Sequence, residues 1–271
     1  MTKKAQWHQP AEHVLAQLGF LLMPHQKKAQ MPLADSLTTP FGETRLGVLA
    51  CFVDCAAGGI GLLTARPSWL VTTYLNLHVW TPPTGSALTA TASVLRSGRS
   101  TVILDVDLAT QQSVGRASVG FAALPARPED PVMPDPPDNG FVQLGTGRVG
   151  MEDLLPYLGT RTVDAAAGST VTTLNDHILN NLGILNGGVM CILAEEAALL
   201  AAASATRRPV SVTQLSMDFI SAVRTGPVQT EAAVIGRERH GMVVRGRVID
   251  GGADRVAATV TGRVEIQASG R

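Results

Sequence analysis

The chain has 271 residues, 45% hydrophobic and 16% charged, and its 22 basic and 22 acidic side chains leave a formal net charge of zero. That composition supplies enough apolar mass for one or two cores and excludes a disordered chain, while the neutral balance excludes a general nucleic-acid binder. The opening MTKKAQWHQP leads into no signal-peptide core, and no charge-free apolar run is long enough to span a bilayer, so a soluble cytoplasmic protein with no membrane partner is expected.

In chain order, a short helix is expected near Ala11–Leu18 and a β-like run over Met31–Leu37. TRLGVLACFVDCAAGGIGLL follows, apolar on nearly every face, so it reads as a helix that must be covered all round. Asp54 is the only carboxylate in it between Arg45 and Arg66. Four strand-like segments come next. In LVTTYLNLHVW, Leu75, Leu77 and Val79 alternate with Asn76, His78 and Trp80, the period of a half-buried strand. GSALTATASVLR, STVILDVDLAT and GRASVGFAAL complete the set.

LPARPEDPVMPDPPDNG then places six prolines in seventeen positions, which no helix or central strand tolerates. It divides the chain into a unit over 1–124, a linker over 125–140 and a second unit over 141–271. The second unit repeats the first: a short helix near Glu152–Leu158, a β-like run over Ser169–Leu174, a long apolar helix, then four strands. In the first of these, Leu215, Met217 and Phe219 alternate with Ser216, Asp218 and Ile220. The shared order is an internal duplication.

The three cysteines, Cys51, Cys55 and Cys191, all fall in the apolar helical runs. They read as reduced, buried thiols, not as a disulfide framework. The six histidines are scattered and no Cys-x-x-Cys occurs, so no metal site is expected.

The second long helix carries the sharper chemical signal. Asn186 is placed to cap it, and Gly187 and Gly188 stand at its first turn. A helix N-terminus offers unpaired N–H groups and positive partial charge, which can polarise a carbonyl oxygen, and glycine lets a ligand approach the backbone. Glu195 and Glu196 lie within the same apolar run and point about 100° apart, so they cannot both face the same way.

The element order resembles the hotdog fold, an α+β design with a curved antiparallel sheet wrapped around one long helix, here twice as a double hotdog. HxxNxxGxxNGGxxxxLxE, from His177 to Glu195, resembles the signature of PaaI-like and 4-hydroxybenzoyl-CoA-type acyl-CoA thioesterases. The resemblance matches Asn180 to the family's Asn, Gly187 to its oxyanion-hole glycine and Glu195 to its acid, and Asn186 departs from the usual His. It implies acyl-CoA as substrate and partner, with CoA as part of the substrate and no separate cofactor.

Gly187 and Glu195 are separated by about 12 Å along one helix, too far to serve one thioester carbon. The acid facing Gly187 must therefore come from a second helix packed antiparallel. The offset that carries Glu195 onto Asp54 also carries Asn186, Gly187 and Gly188 onto Arg45, Leu46 and Gly47, and Asn180 onto Thr39. A hydroxyl that family members often carry on the following strand maps to Thr72, with Val212 in the second half. The resemblance thus implies one composite catalytic site of Asp54, Thr72, Asn180 and Gly187, with Asn186 and Gly188 at the substrate. A degenerate second site is expected at Glu195, Arg45 and Gly47. For the CoA phosphates the candidate cations are Arg96, Arg99, Arg237 and Arg239, with Arg207 and Arg208 as further candidates. The alternatives are a non-catalytic acyl-CoA-binding double hotdog and a hotdog enoyl-CoA hydratase or dehydratase with His177 near the motif. Two chains pairing into a homodimer of double hotdogs is a further arrangement the fold allows.

Overall fold

The computed structural model describes residues 11–33, 43–128, 130–133, 135, 140–145, 147 and 149–267, without the side chains of Met151 and Glu152. Thr39 and residues 34–37 of the expected first β-run lie outside the described residues.

The first half runs α1 (Val14–Gln17), β1 (Leu21–Met23), a 3-10 turn, β2 (Lys28–Pro32), α2 (Leu46–Ala65), β3 (Trp69–Val79), β4 (Ala87–Ser97), β5 (Thr101–Ala109) and β6 (Ser113–Leu124). The second half runs β7 (Val142–Gln143), α3 (Met151–Tyr157), β8 (Thr160–Asp164), β9 (Ser169–Thr172), α4 (Gly187–Thr206), β10 (Val210–Phe219), β11 (Val228–Arg237), β12 (Gly241–Asp250) and β13 (Arg255–Ile266). The strands form one thirteen-stranded sheet in the order β7-β1-β2-β4-β5-β6-β3-β10-β13-β12-β11-β9-β8. From the centre outward the two halves of that order mirror each other. The seam is the antiparallel pair β3–β10, in which Leu77 faces Leu215 and Leu75 faces Met217.

Alternation decides which face of each strand is covered. Leu75, Leu77, Leu215 and Met217 are buried, while Asn76, His78, Trp80, Asp218 and Ile220 are exposed or half-exposed on the other side. The sheet curls around the two helices: α2 touches β2 to β6, and α4 touches β9 to β13. Each helix has its remaining side against the other. By length and hydropathy both helices are apolar enough to cross a membrane, yet each is mostly buried inside the fold, where an all-round apolar helix belongs.

The helices cross antiparallel at small residues. A Cβ on Gly47 would lie 2.8 Å from the Ile192 Cα, and one on Gly188 would lie 2.8 Å from the Cys51 Cα. Glycine at both points is what allows the two backbones to approach so closely.

The halves are also tied by exchanged contacts. Ahead of α1, the His13 ring bonds the Leu179 carbonyl at 2.9 Å, and the Val14 N–H donates to the His177 carbonyl at 2.9 Å. In return, β7, which the sequence places after the linker, pairs with β1 at the outer edge of the first half.

Candidate functional site

Asn186 caps α4 in extended backbone, and its Oδ1 accepts from the Gly188 N–H at 2.9 Å and the Val189 N–H at 3.3 Å. Among the described residues the Gly187 N–H has no acceptor. It is an open donor at the positive end of a twenty-residue helix.

The antiparallel crossing sets Asp54 of α2 against this turn. A Cβ on Gly187 would lie 3.0 Å from Asp54 Oδ2 and 3.0 Å from Thr72 Oγ1. Thr72 donates its hydroxyl to Asp54 Oδ1 at 2.7 Å. A β-bulge between Thr72 and Tyr74 interrupts the pairing of β3 with β6 at this point, and bulges commonly re-aim side chains next to sites. A matching bulge between Val212 and Gln214 in β10 places Val212, buried and without a hydroxyl, at the equivalent position.

Asp54 is 8% exposed. Burial pushes its carboxyl up from 3.8 to about 6, against the Thr72 hydroxyl and the Gly188 N–H, which hold it down. It is therefore ionised at neutral pH and still a competent proton acceptor. Cys55 beside it is no rival nucleophile, because burial and the Asp54 charge push its thiol up, so it stays neutral.

Asn180 lies in the loop before α4. Its Oδ1 accepts from the Leu182 N–H at 2.9 Å and the Ile184 N–H at 3.3 Å, which fixes the turn ahead of Gly187 and leaves its NH2 group as a donor. His13 braces the same loop from outside. Burial lowers its pKa to about 4, and its Nδ1 accepts from the Leu15 N–H, so Nε2 carries the proton donated to Leu179. Nothing in the sequence distinguishes this histidine, because its role exists only across the two halves.

Asp54, Thr72, Asn180, Asn186 and Gly187 all line one cavity of about 740 Å³. Apolar side chains including Leu22, Leu62, Leu70, Phe121 and Leu144 form much of its wall, and Asn181, Ser221 and Arg224 bring polar groups from the second half. The Arg224 loop is held by Asp250, a fully buried carboxylate accepting from the N–H groups of Arg224, Thr225 and Gly226. Three donors to one carboxylate could have been suspected only from the Asp-Gly-Gly that ends that strand segment.

Arg96, Arg99, Arg237 and Arg239 lie exposed where β4 turns into β5 and β11 into β12, and none of them lines the cavity. Among the described residues the arginines that do are Arg66, paired with Asp135, and Arg224. Arg207 is the left-handed C-cap of α4, and Arg208 donates to the Gln267 carbonyl at 2.8 Å.

At the opposite end of the helix crossing the chemistry differs. Arg45 Nε donates to Glu195 Oε2 at 2.9 Å and Arg45 Nη2 to Glu196 Oε2 at 2.8 Å, with all three side chains largely buried. Burial disfavours the Arg45 charge, but the two carboxylates outweigh it and raise the guanidinium pKa. A Cβ on Gly47 would lie 2.8 Å from Glu195 Oε2. Arg45 occupies the place where Asn186 caps α4, it makes no side-chain cap of its own, and neither it, Gly47 nor Glu195 lines the cavity.

Residues 182–257 match a family model described as the thioesterase superfamily. No curated protein matches the chain in sequence. Among solved structures the chain is similar to a tesB protein of Mycobacterium avium subs paratuberculosis, at 12% identity over 90% of this chain and 94% of that one, with a TM-score of 0.63. It is similar to a 12:0-ACP thioesterase from Umbellularia californica at 11% identity, covering 89% and 94% of the two chains, with a TM-score of 0.61. A protein of unknown function with a hot dog fold from Alicyclobacillus acidocaldarius matches at 13% identity over 90% and 94%, with a TM-score of 0.55. The fold is that of the hotdog proteins.

Proposed function

We propose that the protein is a tandem double hotdog that hydrolyses acyl-CoA thioesters at one composite site between its halves. The observation that carries this reading is the meeting of Asp54 Oδ2 and Thr72 Oγ1 from one half with the empty Cβ position of Gly187 from the other, each at 3.0 Å, inside a cavity. A thioester carbonyl set there has an unsatisfied N–H for its oxygen and a carboxylate within reach of its carbon.

Asp54 takes a proton from water as the hydroxyl oxygen bonds to the carbonyl carbon. The resulting oxyanion is held by the Gly187 N–H, and one such donor lowers the barrier by about 3 kcal/mol. Collapse breaks the C–S bond, and the departing thiolate recovers the proton from Asp54, leaving a free acid and free thiol. Direct attack by Asp54 gives the same products through a mixed anhydride. Single-turnover hydrolysis in isotope-labelled water separates the two routes, since only the anhydride route can place the label in Asp54.

Thr72 orients the Asp54 carboxylate, Asn180 fixes the turn, and Asn186 and Gly188 shape the helix start against which the substrate rests. The buried Arg45–Glu195–Glu196 cluster supports a structural role for the second location. The hydratase alternative needs a histidine beside an acid. His177 instead stacks on Tyr157 at 5.5 Å, and both ring nitrogens of His13 are committed to backbone groups. In this reading the chain works in the cytoplasm on acyl-CoA, without a separate cofactor, and two chains can pair.

The test is thiol release from a panel of acyl-CoAs by the purified chain. Binding without release supports the acyl-CoA-binding alternative, and loss of water without release supports the hydratase.

A further inference from the structure

The cavity-lining positions of α2 include Asp54, Cys55, Gly58, Gly59, Leu62 and Leu63. Recurring every four residues in adjacent pairs, they form one stripe leading away from the carboxylate. Two of the six are mid-helix glycines, which destabilise a helix relative to alanine. Gly47 and Gly188 are required by the helix crossing, but Gly58 has no such constraint. A Cβ there would meet nothing nearer than Phe121 Cε1 at 4.0 Å, whereas one on Gly59 would come within 3.2 Å of Leu22 Cδ1.

The second half provides an internal comparison. Aligned end to end, two helices of twenty residues put Leu199 and Leu200 of α4 where α2 has Gly58 and Gly59. Both leucines are partly buried, Leu199 packs against the core, and neither lines the cavity. The stripe therefore carries no side chain at these two positions beside Asp54 and two leucines beside Glu195.

We propose that Gly58 and Gly59 open a channel along α2 that takes the acyl chain and makes a straight medium-length acyl group the preferred substrate. This deepens, and rests on, the thioesterase reading. From Asp54 to Leu62 the helix rises about 12 Å, the span of roughly ten extended methylene groups. The wall beside the stripe is apolar, with Leu22, Leu70, Phe121 and Leu144. Of the polar lining groups, Asn181, Ser221 and Arg224 come from the second half, where the amide-bearing arm of the carrier finds partners, and the Arg66–Asp135 pair stands beyond Leu63, where α2 and the stripe end.

The test compares kcat/KM on saturated acyl-CoAs from butanoyl to palmitoyl for the wild type, Gly58→Ala and Gly58→Leu. The expected wild-type optimum lies near decanoyl. Gly58→Leu should lower the decanoyl-to-butanoyl ratio at least about tenfold, the scale at which hydrophobic pockets discriminate length. Gly58→Ala, whose methyl has room, should shift it less and in the same direction, and it serves if the leucine variant fails to fold. An unchanged ratio with an active enzyme overturns the channel alone. An equal fall on every chain length also overturns it, because the stripe would then hold the carrier arm. Absence of thiol release by the folded wild type on every substrate overturns both readings.

Discussion

Replacing Asp54 by Asn separates the cost of the buried carboxylate from its use. Burial holds this group near 6 in the folded chain against 3.8 as its ordinary value. A difference of about two units corresponds to about 3 kcal/mol between the protonation states. The sign follows from the folded value being the higher one. Below about pH 4 the carboxyl is protonated in both states and costs nothing. As pH rises through 6 the folded chain loses stability, because the unfolded chain ionises more easily. Asp54→Asn removes that dependence. Urea unfolding should find the variant's advantage over the wild type larger by about 2–3 kcal/mol at pH about 7.5 than at about 3.5. In the same preparation kcat should fall about a thousandfold, within the range for a lost general base. The wild-type pH–rate profile should rise with a midpoint near the folded pKa, about 6. A variant that keeps turnover within tenfold, or a stability difference that is flat with pH, refutes the reasoning.

Gly187→Ala puts a methyl group 3.0 Å from both Asp54 Oδ2 and Thr72 Oγ1, so activity should fall about a hundredfold or more, with a thermal midpoint little changed. Thr72→Val removes the hydroxyl that holds the Asp54 carboxyl down; the rising limb of the pH–rate profile should move to higher pH, and an unmoved limb would place Thr72 outside the ionisation. Arg45→Met leaves Glu195 and Glu196 buried without their cation and should cost about 3–5 kcal/mol in denaturant unfolding. Glu195→Gln should weaken stability and leave turnover by the folded fraction intact, and a loss of turnover as deep as that of Asp54→Asn would move the acid to the other end of the crossing.

The features written into local sequence were the ones that could be read from it. Asn186 announces α4 because its side chain caps its own helix, and period-two alternation marks the long strands because one face of each is covered. The meeting of Asp54 with Gly187 was legible in two steps: eight positions of helical rise rule out Glu195 on the same helix, and the offset between the two repeats then points to Asp54. What stayed hidden depends on distant pairing. β1 and β7 are too short to alternate, and β7 makes its pair across the linker. His13 acts on a carbonyl 166 positions away. Cavity walls are assembled from segments far apart, so a linear reading does not single out Arg66 and Arg224, which line this one, while the hairpin arginines lie outside it.

The seam between β3 and β10 joins two halves of a single polypeptide. When two identical subunits meet along such a seam, every substitution near the axis is imposed on both sides at once. A leucine that closes one pocket then closes its twin, and an arginine that disarms one acid disarms both. In the proposed double hotdog, covalent joining of the halves removes that constraint. Glycine can persist at 58 while leucine stands at 199, and arginine can lock Glu195 while Asp54, among the described residues, pairs with no cation. One side of the axis is free to specialise in holding the molecule together, and the other keeps a costly ionised group beside open space.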